Sequence, residues 1–283
     1  MMRTTSWLSL TVMVAACGGG DSGPPPLAEV SGSLKQLAIN DTSIFAIDTT
    51  DSKVIEIGLD GTVIGKLPTS GAVNEVVAAG NWVAWVEVEG SGKIINRRVG
   101  TAIESMRTFA PHIVGSAEGL FYSDTGLVAI WTAGSVPERI ATSSTDARVI
   151  AVDASFAYMV EADTSVTRYP RLGDTSEILQ PTSMAATVKD GQIAHRTAEG
   201  IRLRDLLTGF DRVVGAPPAD YPCELLIAAD GVLCGKYHAL NGMLEERLRD
   251  PVTGYVVTDT VVHWIRADGG TSELHRTDLA EAE

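Results

Sequence analysis

The stretch Leu37–Gly61, LAINDTSIFAIDTTDSKVIEIGLDG, decides how the rest of the chain is read. It runs as a short apolar strand, a polar turn, a second strand with adjacent large apolar residues (Ile44 and Phe45), another turn, and a third strand ending at Asp60-Gly61. Alternating Val, Ile, Thr and aromatic residues between Asp-, Asn- and Gly-rich turns specify short antiparallel strands, and no helical period competes with them.

The same pattern returns six times. The copies are VVAAGNWVAWVEVEGSGKIINR from Val76, HIVGSAEGLFYSDTGLVAIW from His112, VIAVDASFAYMVEADTSVTRY from Val149, AATVKDGQIAHRTAEGIRLRDL from Ala185, LLIAADGVLCGKYHALNGMLEERL from Leu225 and YVVTDTVVHWIRADGGTSELHR from Tyr255. Aligning the first hairpin turn brings Thr42, Gly80, Glu118, Ala154, Asp190, Asp230 and Asp259 to one position, at intervals of 38, 38, 36, 36, 40 and 29 residues. A unit of this length holds three or four short strands, which is one blade of a β-propeller.

Within the second strand, Ile44, Trp82, Leu120, Phe156, Val232 and Val261 alternate with Phe45, Val83, Phe121, Ile193, Leu233 and Val262. Apolar residues on both faces mean that each sheet is covered on both sides, as blades in a ring are; a simple sandwich would leave one face polar. The fifth copy, with Gln192 in the first series, is the weakest match. The expected fold is all-β, a seven-bladed propeller spanning 34–283, with six or eight blades as the alternatives. The seventh copy is short, because only 24 residues follow Asp259. The segment Leu27–Ser33 is therefore expected to supply its missing outer strand and close the ring, since an open ring would leave two raw sheet edges.

The repeat resembles the broad group of bacterial propellers of TolB-like and YWTD-like type. The resemblance rests on Asp259-Thr260-Val261-Val262-His263-Trp264 with Leu274-His275-Arg276, and on Leu120-Phe121-Tyr122. It covers about 250 residues as a fold-level pattern, and without a full YWTD motif it implies no receptor-type ligand recognition.

Residues 1–16 precede all of this and have the character of an address. One positive charge, Arg3, leads an apolar run of about ten residues, half the length a spanning helix needs. The run ends in Val14-Ala15-Ala16-Cys17, which resembles a bacterial lipobox. That resemblance implies cleavage before Cys17, acylation of Cys17, and, since Gly18 rather than Asp follows, placement in the outer membrane. An ordinary cleaved signal followed by an incidental Cys is the bland alternative. Residues 17–33 then form a lipidated tether and closing strand, with Gly18-Gly19-Gly20 flexible and Pro24-Pro25-Pro26 stiff.

The 22 Lys and Arg against 36 Asp and Glu, a formal net charge of −14, exclude a nucleic-acid surface and disfavour broad electrostatic docking on anionic lipid. Three Cys exclude a disulfide-dense scaffold and a four-Cys zinc site. Cys223 and Cys234 remain once Cys17 is lipidated. A two-residue turn at Asp230-Gly231 would put Ile227, not Cys223, opposite Cys234, so a disulfide and two buried thiols stay equally open.

The innermost strands offer mainly small residues: Ala38, Ala78, Gly115, Ala151, Ala186, Ala228 and Val257. Asn40, Asp41, Glu75, Asp153 and Asp230 are scattered acidic or amide candidates, most beside turns, where such residues hydrogen-bond locally. His112, His195, His238, His263 and His275 show no HxH or HxxxH spacing and are expected at exposed strand or loop positions. Gly115-Ser116-Ala117-Glu118-Gly119 is no nucleophile elbow, and Asp48-Thr49-Thr50-Asp51 lacks the Gly and Glu of a calcium loop. Trp85, Trp131, Tyr169, Tyr237 and Trp264 are expected to pack between blades. No catalytic residue, metal or cofactor is assigned. The function expected is a membrane-anchored, non-enzymatic module binding a protein, peptide or envelope component; the alternative is a metal-dependent hydrolase or lactonase working in the channel.

Overall fold

A computed structural model describes residues 24–109, 111–171, 175–183, 185–218, 221, 223–228, 231–268 and 270–279. Seven antiparallel four-stranded sheets follow one another along the chain as the blades of a ring. Blade 1 runs from Leu34–Ile39 (innermost) through Ser43–Asp48 and Lys53–Gly58 to Val63–Lys66 (outermost), and blades 2 to 6 repeat that order. The innermost strands are Leu34–Ile39, Ala72–Ala79, His112–Ser116, Arg148–Val152, Ala186–Lys189, Leu225–Ala228 and Val252–Thr258. Each touches the next, and the seventh touches the first, around a central channel.

Hairpin chemistry explains the blade boundaries. Gly80, Asp190 and Asp259, three of the aligned turn positions, take positive φ near +50°, the conformation that tight two-residue hairpins demand. Because each blade runs up and down, its first-to-second and third-to-fourth turns share one rim, here called the hairpin rim. The innermost strands begin on the opposite side, the inlet rim.

The core is a set of seven separate interfaces rather than one nucleus. Phe45 and Ile47 of blade 1 pack with Val83 and Trp85 of blade 2, while Trp82, Ala84 and Val86 turn the other way to meet Leu120 and Tyr122 of blade 3. Blades 3 and 4 join through Val128, Ala157 and Met159, and blades 4 and 5 through Tyr158, Val166 and Ile193. Ala194 and Leu203 meet Val232 and Cys234, and Leu233 meets Val262 and Trp264. Successive side chains of a strand point to opposite faces, so one strand serves two interfaces. The aromatic residues Trp85, Trp131 and Trp264 are buried in these seams.

The ring closes with the chain's own beginning. Ala28–Ser31 pairs antiparallel with Thr271–Asp278 as the outermost strand of blade 7, aligning Ala28 with Leu274 and Ser31 with Thr271. Ala28, Val30, Leu34, Ile44, Ile265 and Leu274 form the seventh interface. Buried Ser272 locks it, accepting from the Leu34 N–H at 2.9 Å and donating to the Gly32 carbonyl at 2.9 Å. Two glycines allow the approach. A Cβ on Gly254 would lie 2.6 Å from the Gln36 nitrogen, and one on Gly61, which has φ +89°, would lie 2.0 Å from the Leu27 carbonyl oxygen.

Cys223 and Cys234 are joined as a disulfide, with Cα atoms 5.0 Å apart. The register differs from the one the sequence suggests: Ala228 pairs with Gly231, so Cys234 faces Leu225 and Ile227 faces Val232. A slip of two residues keeps every side chain on its face, so the hydrophobic pattern does not distinguish the two registers. Before the strand the Tyr221 N–H donates to the Pro218 carbonyl at 3.0 Å, and Cys223 comes alongside Cys234.

Candidate functional site

The inlet mouth of the channel is more polar than the list of small innermost residues suggests. Glu75 lies in the innermost strand of blade 2, not beside a turn, just after a bulge that shifts the register between Val73 and Glu75. Bulges re-aim side chains. One Glu75 carboxylate oxygen accepts from the Ile113 N–H at 3.1 Å, and the other sits 3.9 Å from His112 Nδ1. Arg148 starts the innermost strand of blade 4, and Glu224 directly precedes that of blade 6.

These groups share one electrostatic field. Burial pushes the Glu75 carboxyl up to about 7, although the Ile113 N–H, Arg148 and Lys93 pull it down; Glu224 adds to the rise. Its side chain keeps 21% of its surface open to water and is crowded by protein elsewhere. Glu224 is also raised, first by burial, with Arg148 opposing. His112 is lowered by burial and then by Arg148 and Lys93, so its imidazole is neutral at pH 7. A carboxyl poised near neutrality can give or take a proton; among the described residues no hydroxyl or thiol is hydrogen-bonded to it. The mouth brings together two carboxyls whose proton affinity burial raises, Glu75 and Glu224, and the Arg148 guanidinium that opposes the rise at both.

The other residues singled out from sequence are dispersed. Asn40 caps its turn by accepting from the Thr42 and Ser43 N–H groups at 3.0 and 2.9 Å. Asp153 does the same for Ser155 and Phe156 and accepts from the Tyr158 hydroxyl at 2.6 Å. Asp41 is an exposed turn residue, and Asp230 and Cys17 lie outside the described residues. Asp48–Asp51 is the turn between the second and third strands of blade 1.

The histidines depart from expectation. His195, His238, His263 and His275 are buried, because second and third strands are covered on both faces and leave little exposed position for any side chain. Burial lowers His195 and His263, with Asp211 opposing at His195 and Arg276 reinforcing at His263. Among the described residues no three His, Cys, Asp or Glu side chains come together to hold a metal ion. Sequence reading missed Arg148 and Glu224. With His112 they occupy the same offset from the aligned hairpin turn, six residues upstream, and that offset was the available signal.

The hairpin rim has the opposite character. The third-to-fourth turn of blade 5 projects Leu207 (94% exposed) and Phe210 (66%). The matching turns project Val136 in blade 3 and Leu59 in blade 1, and Met243 in blade 6 and Val63 in blade 1 open the outermost strands that follow such turns. Exposed large apolar side chains in or beside these turns make that rim a candidate contact surface.

No protein-family profile matches the chain, and no curated protein matches it in sequence. Solved structures resemble it in fold. One is PorZ, described as an essential bacterial surface component of the type-IX secretion system of Porphyromonas gingivalis (TM-score 0.66, 11% identity, 89% of this chain). This chain spans only 38% of PorZ. A chain of a mitotic checkpoint complex matches at TM-score 0.66 and 12% identity over 98% of this chain and 99% of its own. BamB from Moraxella catarrhalis matches at 0.54 and 12% over 86% and 85%. At these identities the likeness defines a class, the seven-bladed β-propellers, and nothing narrower.

Proposed function

We propose that this protein is a lipid-anchored, extracytoplasmic propeller that acts as a non-enzymatic binding or scaffold module for a protein, peptide or envelope component. The observation that carries the reading is the hairpin rim, where turns of blades 1, 3 and 5 and the outer-strand start of blade 6 hold apolar side chains out to solvent. Propellers use rim loops for recognition while the strands only position them. Propellers that belong to a secretion-system component and to a checkpoint complex support a protein partner by analogy. The lipobox-like Val14–Cys17 supports the anchor, and the Gly- and Pro-rich residues before Leu27 supply a stand-off tether.

Two substitutions test the two halves. Cys17→Ala should move the protein from the membrane pellet to the soluble fraction; retention in the pellet would refute the anchor. A photo-crosslinking residue at Leu207 should trap one discrete partner band in cells, and Phe210→Ser should reduce it several-fold. No band at Leu207, Val136 or Met243 would refute the rim as the contact surface.

A further inference from the structure

The connector from blade 5 to blade 6 stands apart from the others. Nine residues, 216–224, separate Gly215 from Leu225, where the other connectors between consecutive blades have three to five. It crosses the inlet rim and ends at Glu224, at the channel mouth. The Cys223–Cys234 disulfide ties it to the end of the second strand of blade 6.

The two sulfurs have unlike surroundings. Cys234 is fully buried in the seam with blade 5, among Ala194, Leu225 and Val232. Cys223 is partly exposed, and its Sγ accepts from Arg196 Nη1 at 3.7 Å. Arg196 lies two residues beyond Ala194 in the second strand of blade 5, so it shares the face turned towards blade 6, and it is buried there. Its guanidinium donates to the Pro218 carbonyl at 2.9 Å and to the Tyr221 carbonyl. The Tyr221 hydroxyl accepts from the Lys236 N–H at 3.3 Å; the Tyr255 hydroxyl accepts from the Gly235 N–H at 3.1 Å and donates to the Glu224 carbonyl. None of these bonds between connector, Arg196 and blade 6 runs through sulfur, so the connector and the guanidinium keep their places when the S–S bond opens.

We infer that the Cys223–Cys234 pair is a redox-exchange site for an external dithiol, and that Arg196 favours its reduced form. One thiolate of the dithiol attacks Cys223 Sγ, the sulfur within reach; the S–S bond breaks and Cys234 leaves and takes a proton. The second thiolate then attacks the reagent's own sulfur in the mixed disulfide, and Cys223 departs as a thiolate beside the guanidinium. The dithiol gives up two electrons and becomes a disulfide, while the protein gains both. Of the dithiol's two protons, one ends on Cys234 and one in solvent. A cation beside a sulfur stabilises its thiolate and makes it the better leaving group, and a stabilised reduced form makes the disulfide more oxidising. The inference depends neither on the lipid anchor nor on the hairpin rim.

The test uses the full chain carrying Cys17→Ala, in which Cys223 and Cys234 are the only cysteines. After reduction with dithiothreitol, alkylation of Cys223 by iodoacetamide is followed against pH by peptide mass spectrometry. Half-maximal reactivity is expected at least one pH unit below that of the same chain in concentrated urea, where a free thiol titrates at about 8.5. Equilibration with reduced and oxidised dithiothreitol reads the second half. Arg196→Gln should make the disulfide about tenfold harder to reduce, a shift of about 30 mV, and Arg196→Lys should recover part of it. Coincident midpoints in the folded and unfolded chain overturn the inference, and so does a reduced chain that loses its cooperative thermal transition. An equilibrium constant that does not move in folded Arg196→Gln overturns the role of the guanidinium; should that variant not fold, the pH profile of the parent chain decides.

Discussion

The seam between blades 7 and 1 and the seam between blades 2 and 3 do the same job with different means. Blades 2 and 3 are neighbours in sequence and use bulk. Trp82, Ile95, Leu120 and Trp131 fill the gap, and the fully buried Arg97 lies over the Trp131 ring, 4.5 Å from its centroid, while donating to the Thr132 carbonyl at 2.7 Å and pairing with Glu104. Blades 7 and 1 are brought together from opposite ends of the chain and use fit. Their contact relies on Ser272, on the Thr253 hydroxyl donating to the Leu34 carbonyl at 2.9 Å, and on glycines that let backbones touch. Joining distant segments costs chain entropy, so a closure seam has to be specific as well as apolar.

The harshest way to break that comparison is to delete residues 27–33. The outer strand of blade 7 goes, with buried Ala28 and Val30 and a four-residue ladder. The expected loss is about 5 kcal/mol or more in denaturant unfolding; an unchanged midpoint would mean the ring does not depend on its closing strand. Next comes Arg97→Ala, which uncovers Trp131 and strands Glu104, at an expected cost of about 3–4 kcal/mol. Arg97→Met should recover part of this, because the aliphatic stem also packs.

The channel mouth supplies a third, pH-dependent test. The folded Glu75 carboxyl, raised to about 7, binds its proton more tightly than in the unfolded chain. Its contribution is intact below pH 4.5 and is lost as pH rises to about 7, up to roughly 3 kcal/mol. Glu75→Gln should therefore stabilise the protein at pH 8 and leave it nearly unchanged at pH 4. His195 and His263 act in the other direction: lowered by burial, they cost stability as pH falls below 6.5. The smallest effect is at the seam itself. Ser272→Ala removes two buried hydrogen bonds and should cost about 1–3 kcal/mol, while the equally conservative Ser105→Ala, on an outer strand, should cost less than half of that.

Much of the architecture is legible in the sequence. Blade number followed from repeat spacing, and double-faced burial from adjacent pairs such as Ile44–Phe45 and Trp82–Val83, since side-chain direction alternates with no outside help. The closing role of residues 27–33 followed from counting what blade 7 lacked. The candidate sites were not legible in the same way. Glu75, His112, Arg148 and Glu224 are up to 149 residues apart in sequence and meet only because four blades start at one mouth.

By itself the amino-acid order determined the unit, its turns and its repetition, because strand alternation and hairpin geometry are local properties of a few residues. Tertiary structure alone decided which charges become neighbours, that most histidines are buried, that Cys234 lies beside Cys223 in a register the pattern leaves open, and where apolar surfaces fall. Those are consequences of ring closure, which sets distances between residues that have no local relation.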